Sequence, residues 1–184
     1  MKLKDIKTSA KPYSIASMMK VSCSTDDPLP KLKVLFRLIG DGWLCPGPVM
    51  YRIPEHLQHR GEIADRLQAI LSGRNPTKGP VELEGPKPNI QSILPTNRPR
   101  GCFERVMEEK EHTESVLGVR SHVMTLWTDL GRAVRVDSRL IAQLKRWWPE
   151  AELTYTSNEY AVTLFAYDGD ECVSAIMPMV LEHV

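Results

Sequence analysis

The amino-acid sequence predicts an α+β fold in which an antiparallel sheet carries two or three helices packed on one face. Three observations support this class. Short stretches of alternating apolar and polar residues, typical of strands, recur along the chain between clusters of turn residues. Two stretches, residues 62–71 and 138–148, instead carry apolar residues at helical spacing. A chain of 184 residues can also bury a core of its own.

The composition excludes several classes of protein. The net charge of +1 argues against a surface that binds nucleic acid throughout, although a local basic face stays compatible with it. No apolar run approaches the roughly 18 residues that span a bilayer, and the N-terminus lacks the apolar core of a signal peptide. We therefore expect a cytoplasmic protein. The four cysteines are too dispersed for a disulfide framework or a zinc ribbon, and we expect free thiols at Cys23, Cys45, Cys102 and Cys172.

The N-terminal part of the sequence predicts a basic, flexible arm over residues 1–30, followed by a single α+β domain over residues 31–184. The alternative for the arm is contact with nucleic acid, because its lysines can neutralise phosphates. Within the domain, residues 31–39 alternate as a strand. A second strand is expected over residues 43–53, interrupted by prolines, and a helical region follows from Pro54.

The middle of the chain is less regular. A proline-rich excursion over residues 73–101 excludes a helix and predicts an arm that covers or contacts protein. This excursion has no aromatic residue, so it lacks the usual platform for base stacking. Residues 103–112 predict a short helix with a solvated, charged face. A strand over residues 119–128 and a turn at residues 129–131 then lead into the C-terminal part.

The C-terminal residues 131–181 predict a β-α-β-β-β unit. After a strand at residues 132–136, Asp137 is expected to cap a helix that Pro149 ends. The apolar face of that helix consists of Leu140, Ile141, Leu144, Trp147 and Trp148. Three strands follow, at residues 153–156, 160–167 and 171–177. Their turns lie at residues 157–159 and at Gly169, and Pro178 closes the last strand.

This unit resembles one half-domain of the DNA sliding clamps, the bacterial DNA polymerase III beta family. The resemblance lies in the β-α-β-β-β order, in the strand-to-helix passage at residues 135–141, and in the final Met177-Pro178-Met179. It covers about 50 residues. Residues 52–57 echo residues 135–140, as expected for a clamp domain built from two half-domains. The family pattern often continues with an arginine, where this chain has Val180.

The resemblance implies a non-enzymatic accessory protein of DNA replication or repair. In clamps, the segment that matches Met177, Pro178 and Met179 helps to bind short peptides of polymerases and other proteins. Clamps are rings with helices around a basic hole, and this chain is too short to close a ring alone. The resemblance therefore implies either a homo-oligomer or a clamp domain with a use other than encircling DNA. It also implies contact with double-stranded DNA through the helix cations Arg139, Lys145 and Arg146.

The two adjacent tryptophans of the predicted helix leave two readings open. Their side chains point about 100° apart, so Trp147 can be buried while Trp148 serves as an interface anchor beside the helix cations. The alternative buries both rings in the core.

The sequence predicts no catalytic set, no cofactor and no metal site. His56 and His59 share a helical face, but zinc usually requires three or four protein ligands. Ser115, His122 and Asp129 include the residue types of a catalytic triad without any motif around them, and they are the basis of an enzyme alternative. A further alternative is a small phage- or plasmid-type inhibitor that blocks a host enzyme or defence complex through residues 73–101.

Overall fold

A computed structural model provides the structure of this chain. It describes residues 1–12, 43–44, 49–58, 74–75, 79–80, 93–114, 120–157 and 162–178. The chain forms two compact units. The larger unit combines residues 1–13 with residues 94–184, and the smaller one consists of residues 14–93.

Among its described residues, the smaller unit contains two short antiparallel strand pairs, a short helix and a further helical residue at Ile93. The expectation that residues 73–101 exclude a helix is therefore wrong at Ile93. Strands β1 (Trp43–Leu44) and β2 (Val49–Arg52) pair with Trp43 opposite Arg52. The expectation of one interrupted strand over residues 43–53 is therefore wrong, because an antiparallel pair requires the chain to reverse direction between β1 and β2. Helix α1 (Glu55–Gln58) follows Pro54, and β3 (Arg74–Asn75) pairs with β4 (Gly79–Pro80). The predicted strand at residues 31–39 and the predicted helix at residues 62–71 lie outside the described residues.

The larger unit contains a three-stranded antiparallel sheet of β5 (Phe103–Glu114), β6 (Arg120–Thr128) and β7 (Ala133–Asp137). The short helix predicted over residues 103–112 is wrong, because these residues pair with β6 along its length. Pairing with a neighbouring strand has overridden the local preference of the charged run Glu108–His112. The predicted strand at residues 119–128 and the turn after it are confirmed, and Gly131 adopts a positive φ of 72° in that turn.

The order strand, helix, three strands is confirmed in the C-terminal part. Helix α2 (Ser138–Trp147) follows β7, and Asp137 caps it by accepting a hydrogen bond from the Arg139 amide at 2.9 Å. Strands β8 (Glu152–Ser157), β9 (Val162–Asp168) and β10 (Glu171–Ile176) then form an antiparallel meander. Gly169 takes a φ of 60° in the turn between β9 and β10, as the sequence predicts.

The core of the larger unit lies where α2 packs on the β5–β6–β7 sheet. Paired residues of neighbouring strands point to the same face, so alternate residues of β6 and β7 share one side. The side towards α2 carries the buried residues Met124, Leu126, Val134 and Val136. From α2, the buried apolar residues are Leu140, Ile141, Ala142, Leu144 and Trp147. The apolar face predicted for this helix is therefore its packing face.

The first ten residues belong to the same unit, although the sequence predicts a flexible arm there. The Leu3 amide donates to the Ala151 carbonyl at 2.8 Å, and the Leu153 amide donates to the Met1 carbonyl at 2.9 Å. Leu3 and Ile6 are buried. Residues 1–10 are thus packed against the C-terminal part of the chain, and residues 13–30 lie outside the described part.

The structure therefore has the mixed, mostly antiparallel character of the predicted α+β class. Within the described ranges, no helix is long and apolar enough to cross a membrane.

Candidate functional site

The residues predicted to bind a protein partner lie at the ends of β10 and α2. Met177 directly follows β10 and exposes 63% of its surface, whereas the preceding Ile176 is fully buried. Pro178 is half-buried, and Met179 lies outside the described residues. Trp148 is half-buried after the end of α2, while Trp147 is buried. The structure therefore agrees with the reading in which Trp147 is buried and Trp148 is partly exposed.

The residues predicted to bind DNA do not form one exposed cationic row. Lys145 Nζ donates a hydrogen bond to the Ile6 carbonyl at 2.7 Å, so this cation holds the N-terminal segment. Arg139 is half-buried and Arg146 is exposed. These two arginines are seven residues apart and therefore share one side of α2.

Asp129 is the centre of a cluster of three polar side chains. It lies in the turn after β6, and one of its carboxylate oxygens accepts a hydrogen bond from the Tyr155 hydroxyl of β8. The other oxygen lies 3.4 Å from the Cys102 thiol, which precedes β5. The Asp129 amide also donates to the Cys102 carbonyl at 2.9 Å. The cluster thus connects the β5–β6–β7 sheet to the meander.

The electrostatics of this cluster keep its thiol protonated. The hydrogen bond from Tyr155 and then those from Cys102 hold the pKa of the Asp129 carboxyl below its usual value. The same carboxylate, followed by burial, raises the pKa of Cys102. Burial and then Asp129 raise the pKa of Tyr155. Because nucleophilic cysteines are activated by a lowered pKa, this arrangement does not activate Cys102.

Close approach of two backbones places Tyr155 beside the cluster. Gly101 forms an isolated antiparallel bridge with Tyr155, and the Tyr155 amide donates to the Gly101 carbonyl at 3.2 Å. A Cβ atom at Gly101 would lie 2.6 Å from a ring carbon of Tyr155. The adjacent Phe103 ring lies 5.3 Å from the Tyr155 ring, centroid to centroid. Only glycine fits at residue 101 without a shift of its neighbours.

A second cluster lies at the turn between β9 and β10. Arg98 forms an ion pair with Glu152, donates to the Gly169 carbonyl at 3.1 Å, and lies 5.1 Å from the Tyr167 ring centroid. Burial raises the pKa of Tyr167 to about 12 and that of Cys172 to about 11. Both groups stay protonated at neutral pH. The carboxyl end of the proline-rich excursion is therefore anchored on the meander.

Glu108 of β5 is the acceptor that holds the N-terminal segment. Its carboxylate accepts hydrogen bonds from the Thr8 hydroxyl at 2.7 Å, the Ser9 amide at 2.7 Å and the Ser9 hydroxyl at 2.8 Å. Burial favours the neutral acid, but these bonds and one from Ser138 outweigh it and lower the pKa of Glu108 to about 2. The sequence placed this residue on a solvated helix face, and that interpretation is wrong.

The structure describes only part of the residue sets that the sequence offers for metal binding and catalysis. His56 is exposed in α1, while His59 and Ser115 lie outside the described residues. Asp129 is engaged by Cys102 and Tyr155 rather than by a histidine in the bonds described above. Across the ranges that the structure describes, no three His, Cys, Asp or Glu side chains are grouped so that they could hold a metal ion.

One contact that the sequence reasoning missed joins β5 to β6. The Arg105 guanidinium carbon lies 3.9 Å from the centroid of the Trp127 ring, a cation–π distance. Arg105 is exposed and Trp127 is half-buried. Arg105 and Met107 are two positions apart, so a strand over these residues places them on one face. The charged run that follows them suggested a helix instead.

Comparison with protein-family models, with curated proteins and with solved structures gave no match for this chain.

Proposed function

We propose that this chain is a non-enzymatic, clamp-like accessory protein of DNA replication or repair. It binds partner proteins through the segment that follows β10, and contact with double-stranded DNA is secondary. The C-terminal part is, in this proposal, similar to a sliding-clamp half-domain. The support is the observed element order β7, α2, β8, β9, β10 together with the motifs at residues 135–141 and 177–179.

The observation that carries the proposal is the exposure of Met177. Residues 173–176 are buried, which fixes the end of β10, and Met177 then exposes 63% of its surface. A single exposed apolar side chain is common on protein surfaces. Here it opens the Met-Pro-Met segment, and the clamp resemblance assigns peptide binding to that segment. Methionine is also suited to varied partners, because its flexible thioether adapts to different apolar surfaces.

The test uses a fluorescent peptide with the clamp-binding motif of a bacterial replicative polymerase. Full-length protein should bind this peptide, and Met177→Asp should weaken binding at least about tenfold, because burial of the side chain contributes roughly 1.5–3 kcal/mol. Met107→Asp is the matched control, since Met107 is also 50% exposed but lies on β5. A peptide that fails to bind, or that binds the Met177→Asp and Met107→Asp variants equally, would contradict the proposal.

Exposure of Ile93 favours a second candidate, a phage- or plasmid-type inhibitor that contacts its target through residues 73–101. Ile93 exposes 43% of its surface near the end of that segment. A deletion of residues 81–92 keeps Arg98 and its ion pair with Glu152, so it tests the segment without losing that anchor. The inhibitor function predicts that this deletion abolishes capture of a host protein. The clamp-like function predicts that peptide binding persists in the deletion variant.

A further inference from the structure

We infer that one face of the β5–β6–β7 sheet binds single-stranded nucleic acid, with a base stacked on Trp127 and phosphates bound by arginine. This arginine–tryptophan face consists of Arg105, Met107, Thr125, Trp127, Ala133 and Arg135. The inference goes beyond the proposed clamp-like function, because none of the residues assigned to that function belongs to this face.

The strand register places these residues on one side of the sheet. Arg105 pairs with Trp127, and Trp127 pairs with Ala133, so these three form a row across the strands. The next row, about 7 Å along the strands, consists of Met107, Thr125 and Arg135. The alternate residues of β6 and β7 point the other way, towards α2. The arginine–tryptophan face therefore lies on the side of the sheet opposite to α2.

The surroundings of the Trp127 ring suit a stacked base. Arg105 lies over the ring, with its guanidinium carbon 3.9 Å from the centroid. On the other neighbouring strand, Ala133 offers only a methyl group, so no long side chain of β7 competes for the ring in that row. The ring is half-buried, which fixes its position and leaves part of it in solvent. A fixed aromatic ring beside a cation is the usual platform for an unpaired base.

The charge of the face favours a polyanion. Arg105 and Arg135 are both exposed, and Met107 is 50% exposed, whereas Thr125 is only 3% exposed. The accessible part of the face is therefore centred on the row of Arg105, Trp127 and Ala133. Among the residues whose pairing the structure describes on this side, the acidic one is Asp137, which is 5% exposed and caps α2 through the Arg139 amide. Its charge is thus held at the helix end. An acidic peptide would match the arginines but has no need of the ring, and a duplex cannot present an unpaired base to it.

The test is fluorescence anisotropy with a labelled oligothymidylate of about twelve nucleotides, a length within the usual range of single-strand sites. The full-length chain should bind it, and binding should weaken strongly between about 50 and about 200 mM salt. Trp127→Leu should weaken binding about tenfold, whereas Trp127→Phe, which keeps a stacking surface, should stay within about threefold. Circular dichroism checks that each variant is folded.

Arginine variants give a second arm that does not depend on the tolerance of position 127. Arg105→Gln removes an exposed cation, so it should weaken binding and lower the salt slope by about one phosphate contact. Arg100→Gln is the matched control, because Arg100 is an exposed arginine in the segment before β5 and belongs neither to this face nor to the helix cations. The control should bind like the unmodified chain.

Four results would overturn the inference. The first is that the chain does not bind oligothymidylate, and the second is that Arg105→Gln or folded Trp127→Leu binds it as tightly as the unmodified chain. The third is that the chain binds a duplex of the same length equally well, and the fourth is that polyglutamate competes as effectively as unlabelled oligothymidylate. The last result would assign the face to an acidic protein partner. Met177→Asp should leave oligothymidylate binding unchanged, so failure of the clamp-like function and failure of this inference give different results.

Discussion

At the scale of the residue, the single side chain of Asp129 connects two sheets. Its carboxylate accepts hydrogen bonds from Tyr155 on the meander and from Cys102 beside β5. Hydrogen bonds to a charged acceptor are stronger than neutral ones. The cluster is therefore better explained as a connection between sheets than as a catalytic set, and its chemistry can be tested through the thiol.

Replacement of Asp129 by asparagine should lower the pKa of Cys102. The carboxylate raises that pKa by accepting the thiol hydrogen bond and by its charge, and asparagine removes the charge. At a fixed mildly alkaline pH, Cys102 in Asp129→Asn should therefore react faster with iodoacetamide than in the unmodified chain. Peptide mass spectrometry measures the rate at Cys102 separately from the other cysteines.

Asp168→Asn is the control for this experiment, because Asp168 is exposed at the end of β9 and is not the carboxylate that Cys102 contacts. The control should leave the rate at Cys102 unchanged. An unchanged or slower rate in Asp129→Asn would show that the carboxylate does not keep the thiol protonated.

The structural role of a residue could be predicted from the sequence where its partner is close along the chain. Asp137 caps the helix that begins at the next residue, and Gly169 takes the positive φ of a tight turn, so both follow from local rules. Asp129 and Glu108 could not be predicted in this way. Their partners lie 26 and about 100 residues away, and only the folded sheets bring them together.

At the scale of elements, the N-terminal segment is fixed to the sheet through Glu108. In the folded state the pKa of the Glu108 carboxyl is about 2, below its usual value of 4.5. A lowered pKa means that the ionised group stabilises the folded state above pH 4.5, and that this contribution is lost as the pH falls towards about 2. Stability should therefore decrease with acid in a way that depends on Glu108.

This pH dependence is measured by urea unfolding at pH 7, 4 and 3. The free energy of unfolding of the unmodified chain should fall over this range more than that of Glu108→Gln, which has no group to titrate there. Glu104→Gln is the control, since Glu104 is an exposed neighbour on β5, and it should follow the unmodified chain. Parallel pH profiles for Glu108→Gln and the unmodified chain would contradict the account.

Gly101→Ala should destabilise the protein by about 1–3 kcal/mol, the usual cost of overpacking. The added methyl group would lie 2.6 Å from the Tyr155 ring and 2.7 Å from its carbonyl oxygen, and the backbone there cannot yield easily. Thermal and urea unfolding measure the loss. Gly131→Asn is the comparison at an open position, where the cost comes from the positive φ and not from packing. A Gly101→Ala variant as stable as the unmodified chain would exclude the close packing.

The sequence predicted the elements whose ends carry local signals. The C-terminal order of strand, helix and three strands follows from the cap at Asp137, the stop at Pro149 and the glycine turns. β5 was predicted as a helix because its charged run has no local signal for a strand, and its pairing with β6 is a property of the folded sheet. The antiparallel pair of β1 and β2 was predicted as one interrupted strand, since the sequence carries no local signal that these two segments pair with each other.

At the scale of the whole molecule, the account assigns two binding functions to different elements of the larger unit. The segment after β10 is proposed to bind protein, and the arginine–tryptophan face is inferred to bind single-stranded nucleic acid. Variants at Met177 and at Arg105 should therefore each affect one ligand. An accessory protein of replication or repair would use both, because partners and unpaired strands meet at sites of DNA synthesis.

The clamp-like function is tested most directly by the solution mass with and without nicked circular DNA, using light scattering after size exclusion. The account predicts a homo-oligomer, a trimer or larger ring, that stays on circular DNA and is lost when the DNA is linearised. A monomer or dimer whose elution is indifferent to DNA would contradict it. The inhibitor candidate would then be the better explanation of this chain.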